Sequence, residues 1–288
     1  MMEARETTID SEAAENALKN IPIPPCPGVI ISLMEEIRQP EVDFNKIAKL
    51  IGGDVGLAAS MLKMANSPFF ALKNKVNSVQ LAISVLGLKN IAQIIRGVAL
   101  RQSVGQGISM DRFWDRSNFT AVVASRIAAG IPGFSREDAY TFGLFHDCGI
   151  PVLMQKFPDY KQRLSEANRA ANLAIAIEEQ HYSTNHAIVG SMLARNWLLP
   201  ENVSKAILVH HDHSIFSDRR LDASICTLVA ITLIAEHIVA SFLDMPDDAE
   251  WFVAGKSALE FLGYSDDELD EIAEDSLSEL SEIHAYRG

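Results

Sequence analysis

Thr141-Phe-Gly-Leu-Phe-His-Asp-Cys-Gly-Ile150 is the stretch that decides the fold. An apolar helical segment ends there on the adjacent pair His146–Asp147, and Gly149 and Pro151 follow at once as a break. Neighbouring residues diverge by ~100° on a helix, so the two side chains can turn to one point only at a helix end. One imidazole nitrogen and one carboxylate presented together suit a divalent ion, which takes hard or borderline donors. Further candidates follow in His181, His186 and the run His210-His211-Asp212-His213. Together they sketch the site of a divalent-metal phosphohydrolase, in which the ion would lower the pKa of a bound water and neutralise phosphate.

The helical setting of each candidate can be read from spacing. His186 shares a face with Gly190, Leu193 and Trp197, at i, i+4, i+7 and i+11, so it points inward. His210 and His211 end a helix that Leu199-Pro200 opens, and one of them turns to the interior. His181 and His213 flank turns and read as surface residues. No Gly-x-Ser-x-Gly elbow and no Gly-x-x-x-x-Gly-Lys loop supplies a nucleophile or a phosphate cradle.

Outward from this centre the chain reads as helices punctuated by turn residues. Asp43, Asp54, Ser78, Ser135, Thr184 and Asp222 can each cap a helix. Pro40, Gly52-Gly53, Pro68, Gly87 and Gly130 close others. Gly105-Gln-Gly107 is a candidate hinge between two helical lobes. No period-2 alternation and no βα repeat is convincing, so the class is all-α, with no receiver or dinucleotide-binding domain. The expected organisation is an N-terminal segment (1–19), an N-terminal helical lobe (20–104), a helical core (105–243) and acidic C-terminal helices (244–288).

Composition narrows the function classes. The 288 residues carry a net charge of −13, and the stretch from Asp244 onward holds fourteen acidic against two basic residues. The body is thus nearly neutral and the end acidic, which disfavours nucleic acid as a partner. A solvated helix face is the plain reading of that acidic end. The longest apolar run, Ile225 to Ala235, is too short for a bilayer, which needs ~20 residues, so no membrane partner is expected. Cys26, Cys148 and Cys226 are odd in number and widely spaced, and Met1-Met-Glu-Ala-Arg-Glu-Thr-Thr8 shows no signal-peptide pattern. A cytoplasmic location with reduced thiols is expected.

Several ordered boxes then resemble one family. Ile21-Pro-Ile-Pro-Pro-Cys-Pro27 is similar to the proline-spaced entry of HDOD proteins, a branch of the HD superfamily. Ile51-Gly-Gly-Asp54 resembles its Ile-x-x-Asp-Pro turn, with Val55 where proline is usual. Leu62-Lys-Met-Ala-Asn-Ser67, Ser78 to Gly87, Gly143 to Gly149, His186 to Gly190, Trp197 to Pro200 and His210-His211 match the remaining blocks. The resemblance, over roughly residues 20–215, implies an HD-like multi-helix bundle with an N-terminal helical lobe. It implies a regulatory role in bacterial signalling, non-catalytic and linked to response regulators, acting through contacts with signalling proteins or with a second copy of the chain. A degenerate metal site of His146, Asp147, His186, His210 and His211 is implied, with a divalent ion as candidate cofactor and no catalytic residue assigned. A phosphohydrolase acting on a nucleotide or cyclic dinucleotide is the alternative.

The chain departs from the full HD pattern at three places. Arg116 stands where the first metal-binding histidine would follow Trp114, and a guanidinium cannot ligate a cation. The final aspartate would sit on the helix after Asp222, where Glu236 is the nearest candidate. Ile150 replaces the cation expected after His-Asp-x-Gly.

Overall fold

The computed structural model describes residues 20–70, 72–104, 110–169, 174–217, 220–245 and 249–287. Among them the chain is helical throughout, with no strand. Four helices come first: α1 (Gly28–Ile37), α2 (Phe44–Gly52), α3 (Val55–Ala65) and α4 (Val79–Val104). The next four lead into the site: α5 (Asp111–Ala129), α6 (Arg136–Phe145), α7 (Gly149–Lys156) and α8 (Tyr160–Arg169). Then come α9 (Ala174–Tyr182), α10 (His186–Asn196), α11 (Glu201–Val209) and α12 (Ala223–Phe242), and last α13 (Ala249–Leu262) and α14 (Asp266–Arg287). The Gly105–Gly107 hinge lies outside the described residues.

The caps anticipated at Asp43, Asp54, Ser135 and Asp222 form, each side chain accepting a backbone N–H of the first turn. One cap moves. Asn185, not Thr184, caps α10 by accepting from Ile188 N at 2.9 Å, which makes His186 the first residue of the helix. The break after His146 also falls earlier than expected. The turn is His146-Asp147-Cys148, and Gly149 already begins α7, with Pro151 in its first turn, where its missing N–H costs no hydrogen bond. Gly87, at φ 76°, kinks α4 where the sequence suggested one helix ending and another starting.

The family boxes are stitches between elements. Asn66, at the end of α3, donates to Leu62 O and Val76 O (2.8 Å each) and accepts from Val76 N at 2.7 Å, which fixes the strap leading into α4. Trp197, fully buried after α10, donates its indole N–H to Pro24 O at 3.1 Å and so anchors the proline-rich entry to the core. One apolar cluster runs from Ile30 and Ile91 through Phe142 to Ile207 and Ile231.

At its centre lies α12. By length and composition α12 and α4 could each cross a bilayer, but α12 is largely buried among other helices of the bundle and α4 is broken at Gly87. Close approaches frame the site. Gly143 of α6 abuts the Ala121 backbone of α5, where a Cβ would come within 2.9 Å of Cα. Gly149 lies so near α10 that a Cβ would meet His186 O at 2.0 Å. These glycines let α5, α6, α7 and α10 converge on one point.

The acidic end is more than a solvated face. Ala254 and Ala258 of α13 pack on Ala230 and Leu233 of α12, and Leu280 and Ile283 of α14 are buried in the main core. Arg126 of α5 holds Asp275 and Glu279 of α14 at 2.6 and 3.0 Å.

Candidate metal centre

All five candidate ligands meet. His146 caps the C-terminus of α6 and Asp147 sits in the turn behind it. His186 opens α10, His210 caps α11, and His211 follows it. Asp147 is the hub. Its Oδ2 lies 3.3 Å from His146 Nε2, while its Oδ1 lies 3.3 Å from His186 Nε2 and 3.7 Å from His210 Nε2. His186 Nε2 and His211 Nε2 are 2.8 Å apart. Asp147, His186, His210 and His211 each bring a donor atom within 4.8 Å of the others, and so do His146, Asp147 and Glu236.

The four rings share one orientation. Each Nδ1 faces an oxygen that can only accept: Gly143 O for His146 (2.8 Å), Ile207 O for His210 (2.7 Å), Glu178 for His186 (2.8 Å) and Glu250 for His211 (2.6 Å). An acceptor-only partner fixes the proton on Nδ1. Each neutral ring therefore turns the Nε2 lone pair inward, as metal-ligating histidines do. His210 Nε2 is the clearest instance, a buried nitrogen with no hydrogen-bond partner. Burial, assisted by neighbouring His211, pushes its pKa down to about 4, so it keeps a bare lone pair at neutral pH.

The remaining rings show what occupies the site without an ion. Burial would lower the pKa of His186, but the Glu178 and Asp147 carboxylates outweigh it and raise it to about 10. His146 is likewise held well above its usual value, the Asp147 and Glu236 charges overcoming burial. In the metal-free protein both rings thus carry a second proton on Nε2, and His186 donates it towards Asp147 and His211. Despite burial, the facing histidines, with Arg116 for Glu236 and the Tyr160 hydroxyl for Glu178, hold Asp147, Glu178, Glu236 and Glu250 below the usual carboxylate range. A divalent ion taking His186 as a ligand would displace the proton on its Nε2 and take over the role of facing Asp147. The donor set fits such an ion.

The half of the site around His146 already has a fixed cation. Arg116 of α5 places a guanidinium nitrogen 2.5 Å from Glu236 Oε1, and the same oxygen lies 3.2 Å from His146 Nε2. Glu236, on α12, is where the sequence pointed. Ile150, in the first turn of α7, is buried and apolar.

Three groups were not foreseen. Glu178 accepts from the backbone N and Nδ1 of His186 and from the Tyr160 hydroxyl, and so both caps α10 and orients its first ring. Glu250 of α13 accepts from His211 Nδ1 and from His213 Nε2, at 2.6 and 2.8 Å. His213 is therefore a partner of the site rather than a surface residue, because its turn folds back against α13. His181 is exposed. Glu250 stands in the acidic end that looks solvated in sequence, and Glu178 is one of two adjacent glutamates after an apolar stretch. The only signal available was chemical: a ligating histidine needs an acceptor for its other nitrogen.

The arrangement can be compared with known proteins. An uncharacterized protein of Treponema pallidum (strain Nichols) is 27% identical over 194 residues, 66% of this chain, and the chain spans only 38% of that relative's length. An HDOD domain protein with unknown function from Geobacter sulfurreducens shares the fold at TM-score 0.72 and 22% identity, over 97% of this chain and 99% of that one. A candidate phosphohydrolase from Shewanella amazonensis SB2B does so at 0.71 and 19%, over 99% and 100%. A candidate signal transduction protein from Marinobacter aquaeolei VT8 does so at 0.71 and 21%, over 96% of this chain and 64% of that one. The HDOD domain profile matches residues 23–213, and with two thirds of its length matched this chain belongs to the HDOD domain family.

Proposed function

We propose that this chain is a non-catalytic regulatory domain of bacterial signalling, cytoplasmic, in which one divalent ion ties the helices together and output passes through protein–protein contacts. The observation that carries this reading is the Arg116–Glu236 pair. A two-ion phosphohydrolase site needs two open cation positions bridged by a carboxylate. Here the guanidinium supplies the positive charge on one side of Asp147, and only the side of His186, His210 and His211 is left to an ion. Three imidazoles and one carboxylate from the protein form a four-donor set, which suits a closed structural site better than one that keeps a place for water. Bound there, the ion would supply a cross-link between the α6–α7 turn, α10 and the end of α11.

Two further features favour contact over chemistry. Ile150 leaves its position without a phosphate-binding cation. Phe252 and Val253 of α13 are 76% and 68% exposed, a share of apolar surface that suits an interface. The name of the Marinobacter neighbour, a candidate signal transduction protein, points the same way.

The phosphohydrolase alternative rests on the inward-facing lone pairs, which fit a working metal site equally well. Metal content of chain purified without chelator, together with turnover of nucleotide and cyclic-dinucleotide phosphate esters in Mn²⁺, separates the two. Bound metal with no turnover is expected. Turnover that disappears in His146→Ala overturns the non-catalytic reading.

A further inference from the structure

Of the four imidazoles in the centre, His211 alone takes its orientation from the C-terminal helices. His146 and His210 donate Nδ1–H to carbonyls one turn back in their own segments, and His186 donates to Glu178, eight residues earlier. His211 donates to Glu250, thirty-nine residues later and beyond the stretch matched by the family profile.

We propose that Glu250 is a positioning residue that makes seating of helix α13 and binding of a divalent cation one coupled event. The inference rests on the metal-binding reading above and adds a regulatory element to it.

The geometry supports coupling in both directions. Glu250 Oε1 is shared by His211 Nδ1 and His213 Nε2, so one carboxylate pins both ends of the turn that carries His211. That carboxylate reaches the site only while α13 lies on α12. The seat is specific: Trp251 stacks on His237 of α12 at 4.0 Å and 8°, and covers Gly255, where a Cβ would come within 2.5 Å of the indole. Ala254 and Ala258 allow the two helices to close. If α13 lifts, His211 loses the acceptor that holds its proton on Nδ1, and its Nε2 is no longer committed to the ion. Conversely, an ion drawing on His211 Nε2 makes Nδ1–H a stronger donor and tightens the bond to Glu250. By linkage, whatever the ion gains from a seated α13, a seated α13 gains from the ion. On α13 the exposed residues Phe252 and Val253 follow Glu250 by two and three positions, so the same helix carries the site's state to the surface.

The test uses the full chain, stripped with chelator and titrated with Mn²⁺ by calorimetry, beside hydrogen exchange of residues 249–262 with and without Mn²⁺. Glu250→Gln keeps an acceptor oxygen but loses the charge, and should weaken Mn²⁺ by roughly 10–100-fold. Glu250→Asp keeps the charge, should recover part of that loss, and serves if Glu250→Gln does not fold. In the wild type Mn²⁺ should slow exchange along α13, and in Glu250→Gln the slowing should shrink. If the wild type binds no Mn²⁺, the metal-binding reading itself fails. If the wild type binds but Glu250→Gln binds equally well, or α13 exchange ignores the ion, metal binding stands and the coupling is overturned.

Discussion

Arg116 and Glu236, 120 residues apart, meet at 2.5 Å inside the bundle, and the carboxylate oxygen they share is also 3.2 Å from His146 Nε2. A fixed cation therefore stands beside the His–Asp pair. Replacing it should change how many ions the site can hold. Arg116→His removes the guanidinium and adds an imidazole on the same turn of α5. The expected result is a rise in bound Mn²⁺ from one ion per chain towards two, read by elemental analysis after gel filtration. Arg116→Met removes the charge and adds no ligand. It should lower metal-free stability by about 2 kcal/mol, because buried Glu236 keeps only the His146 ring as a facing cation while Arg116 is itself partly exposed. An Arg116→Met protein as stable as wild type would mean that the pair does not hold the fold, and an Arg116→His protein that still binds one ion would mean that it does not set the stoichiometry.

The sequence made one kind of relationship visible and hid another. Local rules were legible: Asp43, Asp54 and Asp222 cap helices because a carboxylate two or three residues from a free first-turn N–H accepts from it. His186 was legible too, since helical spacing put it on the face of Leu193 and Trp197, and both are fully buried. The break behind His146 is legible as a fact but not in its place, because Pro151 is as compatible with the first turn of a helix, where it lies, as with the turn before one. Glu178 and Glu250 were hidden. Glu250 sits in the acidic end that reads as solvated, Glu178 stands beside Glu179 with nothing to tell the two apart, and only three-dimensional closure shows that each faces a histidine. Glu178 lies eight residues before its histidine and Glu250 thirty-nine after, so the carboxylate partners follow no common spacing.

Gly149 tests whether convergence of the site depends on backbone contact. An added Cβ would stand 2.0 Å from His186 O and 2.8 Å from Gly190 N, and both are backbone atoms of α10 that cannot turn aside. Gly149→Ala must push α7 from α10 and draw Asp147 away from His186. A loss of more than about 3 kcal/mol is expected, at or beyond the upper end of ordinary overpacking, with Mn²⁺ binding abolished. Gly190→Ala is the comparison. Its Cβ would meet the Ile207 side chain at 3.1 Å and Cys148 Sγ and Gly149 N at 3.3 Å, which shifts of a few tenths of an ångström relieve, so it should fold and bind. Denaturant unfolding of both variants decides, and equal stability would remove the backbone argument.

The protons on His186 and His146 make the metal-free protein sensitive to alkali. A base whose folded pKa lies above its ordinary value stabilises the fold fully below that ordinary value, near 6.5. The contribution is lost as pH climbs through the folded value, about 10 for His186. His210, pushed down to about 4, works in the opposite sense and removes stability as pH falls below 6.5. The metal-free Tm should therefore peak near pH 6.5 and fall by several degrees towards pH 9.5. Saturating Mn²⁺ should reduce the fall on the alkaline side, because the ion takes over the role of the His186 proton. Thermal melts in chelator and in Mn²⁺ across this range are the measurement. A metal-free Tm that rises from pH 6.5 to 9.5 would contradict the assigned protonation.

Removing residues 244–288 asks whether the acidic end is an appendage. Its charge suggests one, but its buried side chains do not: Ala254, Ala258, Leu259, Leu280 and Ile283 are each under a tenth exposed. Burying a leucine or isoleucine is worth about 1.5–3 kcal/mol, so the three large residues alone approach the ~5 kcal/mol at the lower bound of domain stability. Truncation also uncovers Ala230 and Leu233 of α12 and frees Arg126 from Asp275 and Glu279. The shortened chain should unfold at markedly lower temperature and associate through the uncovered face of α12, which light scattering would report as added mass. Charge and core effects can be separated within the full chain. Neutralising Asp275 and Glu279 together should cost about 1 kcal/mol or less, since the bridges to Arg126 are partly exposed. Leu280→Ala should cost about 2–5 kcal/mol. If the double neutralisation proves the more damaging, the acidic helices are held by their charge, and their apolar seam on the bundle is incidental.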